Sequence, residues 1–341
     1  MRHPGARPQR PGGWQRPRPV LAPRVYAVTQ WSSNARERRI VAVVVTFNRL
    51  GLLQRLLARL AEVEGLAHVL VLDNASTDGT GEWLASRAAT GATPGLLARS
   101  LPTNRGGAGG FHDGLAWAID LDADLVWLMD DDGVPDADSL ERLLRHDGDL
   151  DFWGPAVLAE HDPTRLCFPI RLPGGSRVVH DMASVEEAAH EGLIRDVVIP
   201  FNGVLVTAAL VDRIGLPREE FFIWGDDVEY LWRAREAGAR CATVVDAHFL
   251  HPATDDLGTP MMFGRTTFNH SPSDLKHYCM ARNNVVNLRD YRGGLHATAF
   301  VLKTFWFYTF TRPSLARLRL SVSAMRAGLR SDFTGHERFL R

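Results

Sequence analysis

The sequence contains little cysteine, no long apolar run and no excess of charge of one sign. The three cysteines are widely spaced and form no CxxC pair, so the sequence predicts neither a disulfide framework nor a zinc ribbon. No uncharged apolar run reaches the roughly 18–20 residues that span a bilayer. The nearest run, 297–311, contains Lys303, so we expect no transmembrane helix. Since no apolar segment follows Met1, we expect no secretory signal and a cytoplasmic location.

The formal net charge of −1 argues against a general nucleic-acid-binding protein. The charge is nevertheless unevenly distributed. Residues 1–39 contain nine arginines, six prolines and one acidic residue, Glu37. Such a segment has too few apolar residues to form a core, and we therefore predict a disordered basic tail over 1–39. The whole chain is 45% apolar and 23% charged, which is typical of a globular protein.

Between residues 40 and 130, short β-branched apolar runs alternate with amphipathic segments. The apolar runs predict strands, and leucines at helical spacing predict the helices between them. This alternation is typical of a parallel sheet covered by helices, so we predict an α/β fold. The predicted strands are 40–45, 69–72, 96–101 and 125–129, and the predicted helices are 48–63, 80–87 and 109–119.

The second half of the chain is less regular. Proline and glycine cluster between residues 155 and 175, and the segments 204–211, 228–237 and 242–245 predict helices or strands that complete the same unit. From about Asp274 onward the sequence is helical, basic and aromatic. We predict one α/β domain over 40–255 and a helical C-terminal region over 256–341.

Polar residues follow three of the predicted strands, at Thr46–Arg49, Asp73–Asp78 and Asp130–Asp132. The carboxyl ends of parallel strands lie at one edge of a sheet, and ligands bind outside that edge. We therefore expect the three segments to form one site.

Asp130, Asp131 and Asp132 are consecutive carboxylates directly after an apolar strand. They repel one another unless a cation or ordered donors compensate them. One interpretation is a hard divalent cation bound through oxygen, with a diphosphate completing its coordination. A solvated acidic turn is the alternative. An EF-hand loop is excluded, because Leu128 and Ser139 would stand at its first and last ligand positions.

A glycine-rich run, Asn104–Gly110, leads into the predicted helix 109–119. Glycines allow close backbone approach, and a helix N-terminus attracts an anion. The run fails as a dinucleotide fingerprint, because His112 stands where the last glycine is needed. A phosphate-binding turn and a plain tight turn both remain open.

Two further segments carry candidate chemical groups. Asp226, Asp227 and Glu229 open a predicted helix, where acidic residues either complement the helix dipole or place a general base in a cleft. His248 and His251 follow the strand 242–245. A single histidine is more often structural, but a carboxylate cluster elsewhere makes one of the two a candidate metal ligand.

In their order along the chain, these motifs resemble family 2 glycosyltransferases of the GT-A fold, a Rossmann-like, mostly parallel sheet flanked by helices. The resemblance covers residues 40–255 and rests on Val43–Arg49, Asp73–Asp78, Asn104–Gly110, Asp130–Asp132 and Asp226–Asp227. Within the family, four segments resemble the galactofuranosyltransferases of actinobacterial cell-wall galactan, in particular those that act on a rhamnosyl-GlcNAc-diphospho-polyprenol primer. These segments are Asn104–Phe111, Asp162–Pro169, Phe201–Gly203 and Gly225–Glu229.

The resemblance implies a site for a UDP-sugar donor. Thr46 and Arg49 would line the nucleotide site, and Asp73 would bind the uridine. Asn104 would contact the donor near its diphosphate, and Asp131 would belong to the same nucleotide-sugar site.

The resemblance also implies a metal ion and a general base. Asp130, Asp132 and His251 would hold Mn²⁺ or Mg²⁺, which stabilises the leaving diphosphate. Asp227 would accept the proton of the acceptor hydroxyl, and Asp226 would bind or orient the acceptor. The implied reaction is an inverting transfer of galactofuranose from UDP-galactofuranose to a polyprenol-linked glycan.

Two alternatives stay open at this point. Related rhamnosyltransferases share the strand-end motifs, so the donor could be dTDP-rhamnose. A non-catalytic nucleotide-binding scaffold is the other alternative, although a scaffold has no need for the clustered acids Asp130–Asp132 and Asp227.

The region 282–330 carries aromatic residues beside arginines. The aromatics lie between Phe300 and Phe310, and Arg312, Arg317 and Arg319 follow them. Such a stretch either lies on an anionic membrane surface or packs as a core helix. The polyprenol-linked acceptor implied by the resemblance favours peripheral contact at the inner face of the cell membrane.

Overall fold

The computed structural model describes residues 38–90, 95–175, 177–252 and 258–340. The predicted basic tail lies outside these residues except for its last two positions. The predicted boundary after residue 255 also lies outside them.

The described residues form thirteen strands and ten α-helices. The strands are β1 (Ile40–Thr46), β2 (Leu66–Asp73), β3 (Leu96–Ser100), β4 (Leu125–Asp130), β5 (Val134–Pro135), β6 (Phe152–Ala159), β7 (Asp162–Arg171), β8 (Val178–Asp181), β9 (Leu193–Arg195), β10 (Asn202–Thr207), β11 (Cys241–His251), β12 (Thr259–Met261) and β13 (Thr266–Phe268). The helices are α1 (Leu50–Leu60), α2 (Thr80–Thr90), α3 (Gly106–Asp120), α4 (Ser139–Leu144), α5 (Met182–Ala188), α6 (Ala208–Ile214), α7 (Asp226–Glu236), α8 (Asp274–Asn287), α9 (Gly294–Trp306) and α10 (Leu315–Leu329). Short 3₁₀ turns lie at Glu219–Phe221 and Glu337–Phe339, and π-helical turns extend α8 and α9 over Leu288–Arg292 and Phe307–Thr311.

Eleven of the described strands form one mixed sheet, in which β3, β2, β1 and β4 are parallel neighbours. β10 then pairs antiparallel with β4 and β6, and β11 pairs parallel with β6. All seven residues of β1 are buried, because alternate side chains enter the cores on the two faces of the sheet. Leucines of α1 cover one face, and α3 covers the other. This arrangement confirms the predicted α/β fold with helices on both sides.

The predicted elements of the first half are confirmed with small shifts at their ends. α3 begins at Gly106 rather than Gly109, since Asn104 Oδ1 accepts a hydrogen bond from Gly106 N (2.8 Å) and starts the helix early. β11 continues six residues past the predicted strand end at Val245. Its last residue is therefore His251.

The C-terminal region is helical, as predicted, and shares a hydrophobic cluster with α3 and Phe221. α8 and α10 pack closely, and a Cβ at Gly328 would lie 2.5 Å from the Arg282 carbonyl oxygen. Ala108 of α3 and Phe221 belong to the same hydrophobic cluster as Val285 of α8. None of the described helices is both long and apolar enough to cross a membrane.

The glycines of α3 let this helix lie directly on β1. A Cβ at Gly110 would lie 2.4 Å from Val45 Cγ1, and one at Gly114 would lie 2.5 Å from Val43 Cγ1. At Gly107, by contrast, a Cβ would meet no atom of the described chain within 4 Å. Two of the glycines therefore serve helix-to-sheet packing, while Gly107 faces open space at the start of the helix.

We expect Gly110→Ala to lower the free energy of unfolding by about 1–3 kcal/mol, because the added methyl group overpacks the α3–β1 contact. Gly107→Ala is the matched control, since it should stabilise the helix by about 0.5–1 kcal/mol or leave stability unchanged. Urea unfolding of both variants measures the difference. Equal stabilities would contradict close packing of α3 on β1.

Candidate active site

Three sequence motifs meet at the carboxyl edge of the parallel strands. The register pairs Thr46 at the end of β1 with Asp73 at the end of β2. On the other side, Val45 of β1 pairs with Asp130 at the end of β4. The loops are also joined directly, because Asn48 Oδ1 accepts a hydrogen bond from Thr77 N (2.7 Å). The predicted convergence of these segments is confirmed.

Asp131 is held by two residues of the β1 motif. Its side chain is buried, and its Oδ2 accepts a hydrogen bond from Thr46 Oγ1 (2.7 Å). Arg49 Nη1 lies 3.1 Å from Asp131 Oδ1 and 2.5 Å from Asp132 Oδ2. Burial opposes the charge on Arg49, but Asp132 and Asp131 outweigh it and raise the pKa of Arg49. Thr46 and Arg49 thus orient the acidic cluster from the end of β1.

Asp130 lies in a strongly anionic position. Burial and the neighbouring carboxylates of Asp132 and Asp131 raise the pKa of Asp130 to about 8. The positive charge of Arg49 therefore does not balance the negative charges of the three carboxylates. A bound cation would remove this deficit.

His251 faces the acidic cluster, whereas His248 does not. His251 Nε2 lies 3.2 Å from Asp132 Oδ1, and His248 Nδ1 lies 3.2 Å from Asp136 Oδ2. The two histidines are three residues apart on β11, and an odd separation places side chains on opposite faces of a strand. Of the two candidates, the structure brings His251 to the carboxylates.

The His251–Asp132 contact has the character of a cation site. His251 Nδ1 lies 2.8 Å from the Pro252 carbonyl oxygen, which leaves Nε2 directed at Asp132. Burial opposes protonation of His251, but hydrogen bonds with Asp132 and Cys167 raise its pKa to about 10. A proton on His251 Nε2 therefore lies between this nitrogen and Asp132 Oδ1. Without that proton, the lone pairs of the two atoms would face each other. A divalent cation can replace such a proton.

Asp226 and Asp227 begin α7, after a loop over residues 221–225. Burial, then Asp227 and Asp130, raise the pKa of Asp226 well above its usual range. Burial also raises the pKa of Asp227, whose Oδ1 accepts a hydrogen bond from Val228 N (2.7 Å). Asp130 is among the groups that raise the pKa of Asp226, so the strand-end carboxylates and the start of α7 lie near enough to interact electrostatically.

Glu229, the third acid of this motif, has a structural role. It is buried, and its carboxylate bonds Tyr291 Oη (2.6 Å) and Arg233 Nη2 (2.9 Å). The hydrogen bond with Tyr291 connects α7 to the C-terminal region.

The side chains of Asp73 and Asn104 both form hydrogen bonds within the protein. Asp73 is buried, with Oδ1 accepting from Ser76 N (3.0 Å) and Oδ2 from Ser100 Oγ (2.9 Å). Asn104 begins α3 through its bond to Gly106 N. Their contacts with a uridine and with a diphosphate stay predictions.

Sequence reasoning missed Asn74 as a positioning residue. Its buried amide donates to the Gly106 carbonyl oxygen (2.7 Å) and accepts from Arg105 N (2.8 Å). Asn74 therefore joins the loop after β2 to the start of α3. Its place directly after Asp73 in the motif is the signal that could have found it.

Sequence reasoning also missed the inner face of α8. Arg282 begins the stretch 282–330, for which the sequence leaves a membrane surface and a core helix open, and it is fully buried. With Asn283 and Asn287 it donates hydrogen bonds to carbonyl oxygens of residues 220–225. The spacing of these residues carries no signal, because their partners lie about sixty positions earlier in the chain.

Comparison with known proteins gives the family. A family model described as Glycosyl transferase family 2 matches residues 41–163. The chain is 31% identical over 301 residues to the galactofuranosyltransferase GlfT1 of Mycolicibacterium smegmatis, covering 86% of this chain and 97% of that protein. The chain belongs to the family 2 glycosyltransferases. It is also 32% identical over 300 residues to GlfT1 of Mycobacterium tuberculosis, covering 86% of this chain and 96% of that protein.

A solved structure agrees with this family at the level of the fold. Staphylococcus aureus TarS superposes with a TM-score of 0.54 at 15% identity. The match covers 86% of this chain and 49% of TarS, so the chain spans about half of that protein. The sheet and its flanking helices therefore have the GT-A arrangement, and the protein is a glycosyltransferase.

Proposed function

We propose that this glycosyltransferase transfers galactofuranose from UDP-galactofuranose to a polyprenyl-diphosphate-linked rhamnosyl-GlcNAc or related cell-wall glycan. The observation that carries the proposal is the presence of two carboxylate groups, Asp130–Asp132 and Asp226–Asp227, within electrostatic reach of each other. Both groups occur in a chain similar to galactofuranosyltransferases over nearly their whole length. The first group suits a metal-bound diphosphate, and the second suits an acceptor hydroxyl.

Asp130, Asp132 and His251 are proposed to hold Mn²⁺ or Mg²⁺. In the described part of the chain, no three His, Cys, Asp or Glu side chains form a group that could hold a metal ion as they stand. Two carboxylates and an imidazole nevertheless fit these ions, which commonly take few protein ligands and complete their coordination with substrate phosphates. Asp132 Oδ1, which is buried and has His251 Nε2 3.2 Å away, supports the same proposal. When bound, the ion would stabilise the charge that develops on the leaving diphosphate.

Asp227 is proposed as the general base. Burial raises its pKa, and a more basic carboxylate accepts a proton more readily from a sugar hydroxyl. The carboxylate must be ionised to act, so turnover should fall as the pH is lowered toward this raised pKa. Attack opposite the leaving diphosphate inverts the anomeric centre, and one base is sufficient because no covalent glycosyl-enzyme forms. Asp226 would bind or orient the acceptor.

Peripheral contact with an anionic membrane is proposed for the outer surface of α9 and α10. Leu302, Phe305, Trp306 and Phe310 are exposed. A groove of about 620 Å³ beside Phe305 is lined by the apolar side chains of α10 together with Arg319, Arg326 and Arg330. These three arginines are exposed and form no ion pair with the described residues. Arginines beside apolar side chains fit a surface of anionic phospholipid.

Two arginines of the stretch 282–330 are engaged by other residues of the protein and are removed from this proposal. Arg282 is fully buried, and Arg317 bonds Asp274 Oδ1 (2.7 Å). Phe307 and Tyr308 are buried as well. The stretch therefore combines both interpretations, because one face packs into the core and the other is exposed.

We expect product formation from UDP-galactofuranose and a lipid-linked rhamnosyl-GlcNAc primer, detected as added hexose by mass spectrometry. EDTA should abolish it, and Mn²⁺ or Mg²⁺ should restore it. Reactions without acceptor, and reactions with dTDP-rhamnose, are the controls. Transfer of rhamnose would establish the alternative donor, and full turnover in EDTA would refute the metal site.

We expect Asp227→Asn to lower kcat by at least ~10²-fold, because the amide cannot accept the acceptor proton. Affinity for UDP, measured by calorimetry, should stay within about twofold, since the proposed donor contacts lie elsewhere. Asp212→Asn makes the same chemical change on an exposed position of α6 and should leave both values unchanged. Near-normal turnover of Asp227→Asn would show that another group is the base.

We expect the triple replacement of Arg319, Arg326 and Arg330 by Gln to reduce co-sedimentation with anionic phospholipid vesicles. Wild-type binding should weaken with salt, because charges are screened beyond about 8 Å at 0.15 M. Replacing the exposed Arg195, Arg213 and Arg235 removes the same charge from other elements and should leave binding unchanged. If both triple variants sediment alike, the α10 groove is not the membrane contact.

A further inference from the structure

The loop over residues 221–225 has an unusual backbone conformation. Phe222, Trp224 and Gly225 all have positive φ, at 65°, 73° and 83°. Glycine adopts this region freely, but a bulky residue there costs of order 1–3 kcal/mol. Two strained residues within five positions persist only where surrounding contacts hold them. The loop leads directly into Asp226 and Asp227, so those contacts also determine where the two carboxylates lie.

Asn283 of α8 makes the central contact. Its Nδ2 lies 3.0 Å from the Phe221 carbonyl oxygen, 3.1 Å from that of Ile223 and 2.7 Å from that of Trp224. Asn283 is fully buried. The two N–H bonds of one amide are therefore shared among three carbonyl oxygens of the loop, and that of Phe221 accepts in addition from Ile223 N (2.8 Å).

Arg282 fixes the orientation of this amide. Its Nε donates to Asn283 Oδ1 (2.9 Å), so Nδ2 must point toward the loop. The Arg282 Nη2 donates to the Phe221 carbonyl oxygen (2.9 Å), and Nη1 donates to that of Phe333 (2.5 Å). The guanidinium therefore links the loop and its amide partner to the C-terminal segment after α10.

Asn287 lies one turn further along α8 and completes the contact. Its Nδ2 donates to the Gly225 carbonyl oxygen (2.7 Å), at the residue that precedes α7. On the opposite side of the loop, the Phe222 carbonyl oxygen accepts a hydrogen bond from Ala108 N (3.0 Å) at the start of α3. The loop is thus held between the glycine-rich helix start and α8.

We propose that Asn283 is a positioning residue for the transfer reaction: by holding the carbonyl oxygens of Phe221, Ile223 and Trp224, it fixes the start of α7 so that the Asp227 carboxylate faces the acceptor hydroxyl. The proposal rests on the proposed role of Asp227 as the general base. Asn283 touches neither substrate nor reacting atoms. Its effect reaches the reaction through the loop.

The test is a double-mutant cycle between Asn283→Ala and Asp227→Asn, with kcat, KM for the donor, UDP affinity and thermal unfolding measured for each variant. Asn284→Ala is the matched control, because Asn284 is the same residue type in the next position of α8 and its side chain bonds no described residue. We expect Asn283→Ala to lower kcat at least ~10-fold while KM and UDP affinity stay within about twofold. The control should change none of them.

The cycle separates positioning from general destabilisation. If Asn283 acts through Asp227, then Asn283→Ala should lower kcat less than about twofold in the Asp227→Asn background, since the group it positions is already disabled. Equal losses in both backgrounds would assign Asn283 a merely structural role and overturn the proposal. If Asn283→Ala does not fold, Asn287→Ala removes the Gly225 contact alone and enters the same cycle.

Failure of the proposed function gives a different result. Near-normal turnover of Asp227→Asn would refute the general base and, with it, the positioning proposal. An inactive Asp227→Asn together with an Asn283→Ala variant that behaves like Asn284→Ala would refute the positioning proposal alone.

Discussion

Parallel pairing of β1 with β2 and β4 is the constraint on which the site depends. The register sets Thr46 beside Asp73 and Val45 beside Asp130, so all three strands end at the same level. The residues that follow must then share one small volume at the sheet edge. Side chains from loops far apart in the chain can therefore hydrogen-bond directly, as Thr46 does with Asp131. The strands therefore fix where the site lies, and the loops after them supply its polar side chains.

That shared volume concentrates negative charge, and the electrostatics of the site follow from it. Thr46 and Arg49 bond Asp131, but burial raises the pKa of Asp131 as well as that of Asp130. Burial also disfavours the anionic forms of Asp226 and Asp227. In the proposed reaction, Asp130 and Asp132 would hold a cation, and Asp227 would accept a proton. Two separate carboxylate groups would thus meet the two demands of the proposed sugar transfer from a diphosphate donor.

The sequence allowed the parallel half of the fold and the strand-end motifs to be predicted, because both depend on local patterns. β-branched runs identify buried strands such as β1, and the polar residues after them identify the edge. The 221–225 loop and its partners on α8 could not be predicted in this way. Arg282 has the composition of a surface residue, yet it is buried because backbone carbonyl oxygens replace water around its guanidinium. The length of β11, which brings His251 to Asp132, also depends on pairing with β6 rather than on propensity.

The dependence of the 221–225 loop on α8 has a consequence for the order of events during synthesis. The sheet strands and α7 leave the ribosome before residue 274, and with them every carboxylate of the site. The loop conformation requires hydrogen bonds from Arg282, Asn283 and Asn287, and α8 itself packs against α10. A nascent chain therefore has all its reactive groups before it has the means to arrange them. Assembly of the proposed site is completed only after α8 and α10 have been made.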